Sequence, residues 1–205
     1  MPSHLHRGAK LVARDGSAHN VRLKRYLKGE EKSGSWEWRD DPFRDSREWN
    51  GLRVLMALVN NWDLKDENNK IRTYEGTQMY LVSDLGSSFG TTGRSITRAA
   101  SKGNLGAFER SRFIVKTTSE FVDFGTPSRP ALVHLFELPE YLRRIHLEWI
   151  GKRIPRSDAR WIGDLLSRLS AEQIHSAFRA AGYAPREVDE FSAVVEKRIE
   201  ALKQL

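Results

Sequence analysis

The chain has 205 residues, 39% hydrophobic and 30% charged, the balance of a soluble globular protein with room for one sizeable core. No apolar run approaches the roughly 18–20 residues that span a bilayer, and Met1-Pro2-Ser3-His4-Leu5-His6 lacks the apolar stretch of a secretory signal, so the cytoplasm is the default compartment. Cysteine is absent, which removes disulfides, thiolate zinc sites and cysteine nucleophiles, while a formal net charge of +7 favours anionic partners.

In chain order, Ala9–Ala13 and His19–Leu27 read as two strands of a hairpin, with Arg14-Asp15-Gly16-Ser17 supplying the turn. Arg22, Lys24, Arg25 and Lys28 form the tightest basic cluster, which reads first as a solvated face and second as a nucleic-acid patch. Residues 28–40 look like a loop, with Trp36 and Trp38 alternating as on an edge strand. A helix is expected from Asp41-Pro42, a cap residue followed by proline, with Trp49, Leu52, Leu55, Met56 and Val59 as its apolar face and Asn60-Asn61 as its stop.

A polar segment, Trp62–Asn69, precedes a short strand, Met79–Val82, that ends at Ser83-Asp84-Leu85-Gly86. Residues 87–110 should be loops with one short helix, and Arg112–Lys116 with Glu120–Phe124 a second hairpin. Helices follow at about 139–149, 157–169, 171–181 and 186–203, the third with Ser170 and Gln173 spaced as a capping box and Gly182 as its stop. The fold class is α+β, with little sheet and a helical C-terminal half.

The segment that carries chemistry is Asn60-Asn61-Trp62-Asp63-Leu64-Lys65-Asp66-Glu67-Asn68-Asn69. Asp63-Leu64-Lys65-x-x-Asn68 matches the pattern of the protein-kinase catalytic loop, and it follows an amphipathic helix and precedes a strand that delivers Asp84-Leu85-Gly86. Asp63 and Asp84 are 21 positions apart, close to what a short hairpin between them requires. The other reading is a polar helix–strand connection whose asparagines and aspartates only form turns. Asp123-Phe124-Gly125 spells the kinase triplet literally, but it ends an alternating stretch before Thr126-Pro127 and reads as an ordinary strand end.

Over about residues 43–90 the chain resembles the catalytic segment of the protein-kinase-like superfamily. Asp84-Leu85-Gly86-Ser87-Ser88-Phe89-Gly90 is closer to atypical members such as the secretory-pathway, HipA-type and phosphatidylinositol kinases, and the Asn-Asn-Trp-Asp-Leu-Lys core occurs in uncharacterised bacterial proteins. The resemblance implies a mostly helical kinase lobe over 41–205, with a catalytic loop at 60–69 and a metal loop at 83–90, preceded by a β-hairpin remnant of the nucleotide lobe over 1–40.

It further implies Mg²⁺ and ATP as cofactors and a hydroxyl-bearing protein, lipid or small molecule as acceptor. Asp63 would take the acceptor proton, Lys65 would offset charge on the transferred phosphate, and Asn68 and Asp84 would hold magnesium, with Gly86 allowing a sharp turn. Lys24 is the foremost choice for the strand lysine that contacts the nucleotide phosphates, with Lys10 and Arg22 as alternatives. Asn61-Trp62 replaces the usual His-Arg, no Ala-Pro-Glu follows Asp84, and no G-x-G-x-x-G loop precedes the helix. The expected activity is therefore a phosphotransferase lacking part of its nucleotide lobe, as a piece of a longer protein or a stripped-down relative. The alternatives are a catalytically silent interaction module or a basic nucleic-acid-binding domain.

The six histidines (4, 6, 19, 134, 146 and 175) show no ligand spacing except His4-x-His6, so zinc is not expected. Trp149 and Trp161 read as packing anchors, and Arg94, Arg98 and Lys102 as a solvated face or an anion contact.

Overall fold

The computed structural model describes residues 15, 17, 28–61, 63–90, 103–125 and 147–205. The two strands of the expected hairpin, Ala9–Ala13 and His19–Leu27, lie outside them, and so do Lys24, Lys10, Arg22, Arg94, Arg98, Lys102, the first part of the helix at 139–149, and every histidine but His175.

Among the described residues the protein is α+β, with two three-stranded antiparallel sheets and five α-helices. Helix α1, Arg47–Leu58, starts where the Ser46 side chain accepts a hydrogen bond from the Trp49 amide at 3.1 Å. The expected start at Asp41-Pro42 is corrected: Asp41 accepts from the Phe43 amide at 2.7 Å and closes a turn there, so helical geometry waits for Ser46. At its other end Asn60 takes a left-handed conformation, φ 56°, and the helix stops as expected. The buried side is wider than the five-residue face read from the sequence. Val54, Ala57 and Leu58 are buried as well as Trp49 and Met56, so α1 separates two cores.

The smaller core joins α1 to the first sheet, whose order is β1 (Glu31–Gly34), β2 (Asn69–Tyr74) and β3 (Thr77–Val82). Trp36 and Trp38 are not on a strand; the edge strand lies before them. They follow β1 into the core, meet edge-to-face at 4.8 Å, and bury with Met56, Leu64 and Ile150. The Trp36 indole donates to the Leu81 carbonyl at 3.2 Å, and the Trp38 amide donates to Asp66 Oδ1 at 2.9 Å, which presses this segment onto the hairpin and its leading loop. β2 and β3 pair from Asn69↔Val82 to Tyr74↔Thr77 around Glu75 (φ 48°) and Gly76 (φ 77°), the two positive values of a tight two-residue turn.

The larger core collects the remaining elements: α2 (Leu105–Arg110), the second sheet of β4 (Ile114–Thr117), β5 (Phe121–Phe124) and β6 (Ile154–Pro155), and helices α3 (Arg156–Leu166), α4 (Ala171–Ala180) and α5 (Pro185–Lys203). The second hairpin and the last three helices fall where the sequence placed them. Ser170 and Gln173 form the expected capping box, and Gly182 ends α4 at φ 84°. The end of the helix expected at 139–149 is instead a 3₁₀ turn at Glu148–Gly151. Trp149 stacks on Trp49 at 5.9 Å, as a packing anchor should, and Trp161 lies under the Arg47 guanidinium at 4.5 Å.

Two buried arginines tie these parts together. Arg53, in α1, donates to the carbonyls of Trp149, Ile150 and Lys152 and to Asn50 Oδ1, and lies 4.5 Å over the Trp49 ring. Arg198, in α5, donates to the carbonyls of Ala57, Leu58 and Phe108 and to Ser111 Oγ. Arg198 thus meets the buried C-terminal ends of α1 and α2, where the helix dipole favours a cation. Burial lowers both guanidinium pKa values to about 10, so each stays charged at neutral pH.

Candidate functional site

The end of α1 and the β2–β3 hairpin bring the predicted loop residues together. The hairpin register pairs Asn69 with Val82, and the Ser83 amide donates to the Asn68 carbonyl at 2.9 Å, so Asn68 and Asp84 flank the open end of the hairpin, just before β2 and just after β3. Asn61, only 1% exposed, joins the other two positions: its Nδ2 donates to the Asp84 carbonyl at 3.3 Å, and its Oδ1 accepts from the Asp63 amide at 3.1 Å. One buried amide thus spans the backbone of both aspartates.

Within the loop, Asn68 Nδ2 donates to the Asp63 carbonyl at 2.9 Å, and the Asn68 amide donates to the Lys65 carbonyl at 2.9 Å across a 3₁₀ turn, Asp66–Asn68. Leu64 points into the smaller core at 5% exposure and anchors the loop from below. The Lys65 ammonium is 3.4 Å from Asp63 Oδ1, with both side chains partly exposed. That Asp63 oxygen is buried with the Lys65 ammonium as its partner, whereas both amide atoms of the fully buried Asn69 lack hydrogen-bond partners. Polar capacity of this kind is uncommon in a protein interior, where buried polar atoms are nearly always paired.

Asp84 is exposed, and its Oδ1 accepts from the Gly86 amide at 2.9 Å. Gly86 lies in a turn, and the left-handed step of the segment falls further on, at Phe89, φ 57°. Phe89 can hold this costly geometry because it is fastened on every side. Its amide donates to the Val59 carbonyl at 2.8 Å, its carbonyl accepts from the Asn104 amide at 2.7 Å, and its ring meets Phe108 and Phe178 edge-on. The Asn60 side chain also donates to the Gly90 carbonyl. The segment after Asp84 is therefore bound back onto the end of α1.

No protein-family model, no curated protein and no solved structure matches the chain. What the site does has to be inferred from its own geometry.

Among the described residues, no group of three or more His, Asp or Glu side chains is arranged around a common metal position. Magnesium does not require one, because it binds through one or two carboxylates and completes its shell with water and phosphate oxygens. Asp84 and the Asn68 side-chain oxygen are hard oxygen donors at the open end of one hairpin, so the donor set fits such an ion. Of the predicted residues, Asp63, Lys65, Asn68, Asp84 and Gly86 share this end of the hairpin, while Lys24 lies outside the described residues. Asp123 is committed elsewhere, accepting from the Arg153 amide at 2.8 Å at the end of β5.

In the sequence Asn60 and Asn61 stand as a helix stop at the head of the chemical segment, with no contact of their own in the site. In the structure Asn61 links the backbones of both aspartates, while Asn60 reaches the Gly90 carbonyl. Asn69 was taken as the end of a polar run, although as the first residue of β2 it is fully buried.

Proposed function

We infer that the chain is a kinase-like phosphotransferase module that handles a magnesium-bound nucleotide phosphate at the Asp63–Asn68–Asp84 loop pair. The observation that carries this reading is the Asn61 side chain, which fastens the backbones of Asp63 and Asp84 together beneath a loop that sets the Lys65 ammonium 3.4 Å from Asp63 Oδ1. Phosphoryl transfer depends chiefly on positioning and charge neutralisation, and both are properties of a rigid loop bearing carboxylates and a lysine.

In this reading Asp84 and the Asn68 oxygen hold magnesium, which when bound neutralises phosphate charge. Asp63 orients an acceptor hydroxyl and takes its proton. Lys65, beside the same carboxylate, offsets charge on the transferred group. Leu64 and the Asn68–Asp63 bond hold both side chains at their separation without help from substrate.

Calorimetric titration of Mg·ATP tests this, run alongside Asp84→Asn and a magnesium-free control. Binding that needs both magnesium and Asp84 supports the reading. A folded wild-type protein that binds no Mg·ATP refutes it and favours a catalytically silent module.

A further inference from the structure

The segment after Asp84 also forms one wall of a second feature. A cavity of about 710 Å³ lies between this segment, the last turn of α1 and helix α4, lined by Leu58, Val59, Phe89, Ile174 and Phe178 among others. This volume falls within the roughly 300–1,000 Å³ typical of small-molecule sites. Its walls are largely preformed, because Phe89 is hydrogen-bonded to Val59 and Asn104, and the Gly103 amide donates to the Ser88 carbonyl at 3.2 Å.

Two properties define what it would accept. Among the described residues no Asp, Glu, Lys, Arg or His side chain lines it, and the Tyr183 pKa is raised by burial and then by the nearby Glu187 charge. A charged ligand would lose its hydration there without compensation. The wall also holds Ser88, which is 6% exposed and whose hydroxyl has no hydrogen-bond partner. Leaving a hydroxyl buried and unpaired is unfavourable. Rotation of Ser88 between staggered χ1 positions is the small adjustment by which a ligand oxygen would recruit it.

We propose that this cavity binds a neutral, mainly apolar small molecule carrying one hydroxyl or carbonyl, which hydrogen-bonds to Ser88. The site does not depend on the phosphotransferase reading, since neither Asp63 nor Asp84 lines it.

1-Octanol serves as the probe, with octanoate as its charged counterpart, titrated into ¹⁵N-labelled protein without magnesium or nucleotide. Saturable amide shifts should appear at Ser88, Phe89, Ile174 and Phe178. Ala177 is an exposed residue on the cavity wall, so Ala177→Trp should fill the cavity, keep the native spectrum and abolish those shifts. Ser88→Ala should weaken octanol about tenfold, the worth of one hydrogen bond, and octanoate should bind at least about tenfold more weakly than octanol. The proposal is overturned if octanol gives no saturable shifts, if octanoate binds as well as octanol, or if either folded variant binds octanol like the wild type.

Discussion

Asn68 donates its side-chain amide to the backbone carbonyl of Asp63 at 2.9 Å, so the loop is closed on itself before any ligand arrives. The bond needs a donor, and the two nearest substitutes for asparagine lack one. Asn68→Leu removes the hydrogen bond and should cost about 1 kcal/mol. Asn68→Asp should cost more, because a carboxylate then faces the same carbonyl. Urea unfolding of the three proteins checks the order wild type, Leu, Asp; an Asp variant as stable as wild type would show that the bond does not hold the loop.

Asn61 should matter to both halves of the site. Asn61→Ala leaves the Asp84 carbonyl and the Asp63 amide without their buried partner, and about 2 kcal/mol of stability should go with it. The more specific expectation is local. Amide hydrogen exchange should quicken at Asp63 and also at residues 84–86, two segments that are remote in sequence. Faster exchange at only one of them would sink the idea of a shared clamp.

Arg198 gives a test of geometry rather than charge. Its planar fork meets three carbonyls and a hydroxyl, and a lysine ammonium cannot reproduce that arrangement. Arg198→Lys should therefore lose about 2–3 kcal/mol despite keeping the charge, and Arg198→Met about 3–4 kcal/mol. Denaturant midpoints measure both. A lysine variant within experimental error of wild type would mean that charge alone suffices.

Gly125 separates structure from chemistry in the Asp123-Phe124-Gly125 triplet. A Cβ built there would lie 1.9 Å from the Arg112 carbonyl oxygen, while the Gly125 amide donates to the Phe113 carbonyl at 2.8 Å. Gly125→Ala should destabilise the protein by about 2–4 kcal/mol through the forced shift between neighbouring strands. Asp123→Asn should leave Mg·ATP binding unchanged in the titration that Asp84→Asn abolishes. Loss of binding in Asp123→Asn would reverse the assignment of the two aspartates.

Acid should act through the surface of α4. The Glu172 carboxyl lies below its ordinary value of 4.5, first because Arg179 donates to it and then because Ser176 does. A carboxyl depressed in the folded state adds stability above its unfolded pKa, and the contribution is lost as pH falls through the folded value. The pair is exposed, so solvent screening keeps the effect small. Glu172→Gln should be slightly less stable than wild type at pH 6, with the difference shrinking as the pH falls below 4.5 and through the lowered folded value. A difference that grows on acidification would contradict the sign.

Signals confined to a few neighbouring residues were legible in the sequence. The Ser170–Gln173 box and Gly182 bracket α4 as expected, and the 21 positions between Asp63 and Asp84 hold the anticipated hairpin. The hairpin turn itself, Glu75-Gly76, lacks the Asn-Gly or Asp-Gly signature, which is why only part of β3 and none of β2 stood out. Asp41-Pro42 is a sound helix start in isolation, but its aspartate was captured by the Phe43 amide. Arg53 and Arg198 were invisible for another reason: composition treats arginine as a surface residue, and the carbonyls that justify their burial lie far away in sequence. At the site, residue types and spacing pointed to Asp63, Asn68 and Asp84. The role of Asn61 depends on a tertiary contact that spacing does not reveal.

Arg198 reaches back 140 positions to the Leu58 carbonyl and 90 to that of Phe108. Contacts of such long range form late, because the loop closure they require is paid for before they give any return. The final turn of α1 therefore stays open while the chain is being made, and the loop hung from that turn stays open with it. Pulse-labelled hydrogen exchange during refolding should find Asn60 and Asn61 becoming protected together with α5, and later than the interior of α1. A nascent chain would then leave the loop after Asn61 unordered until its helices had closed over it, and under the proposed phosphotransferase reading that would delay any encounter with nucleotide.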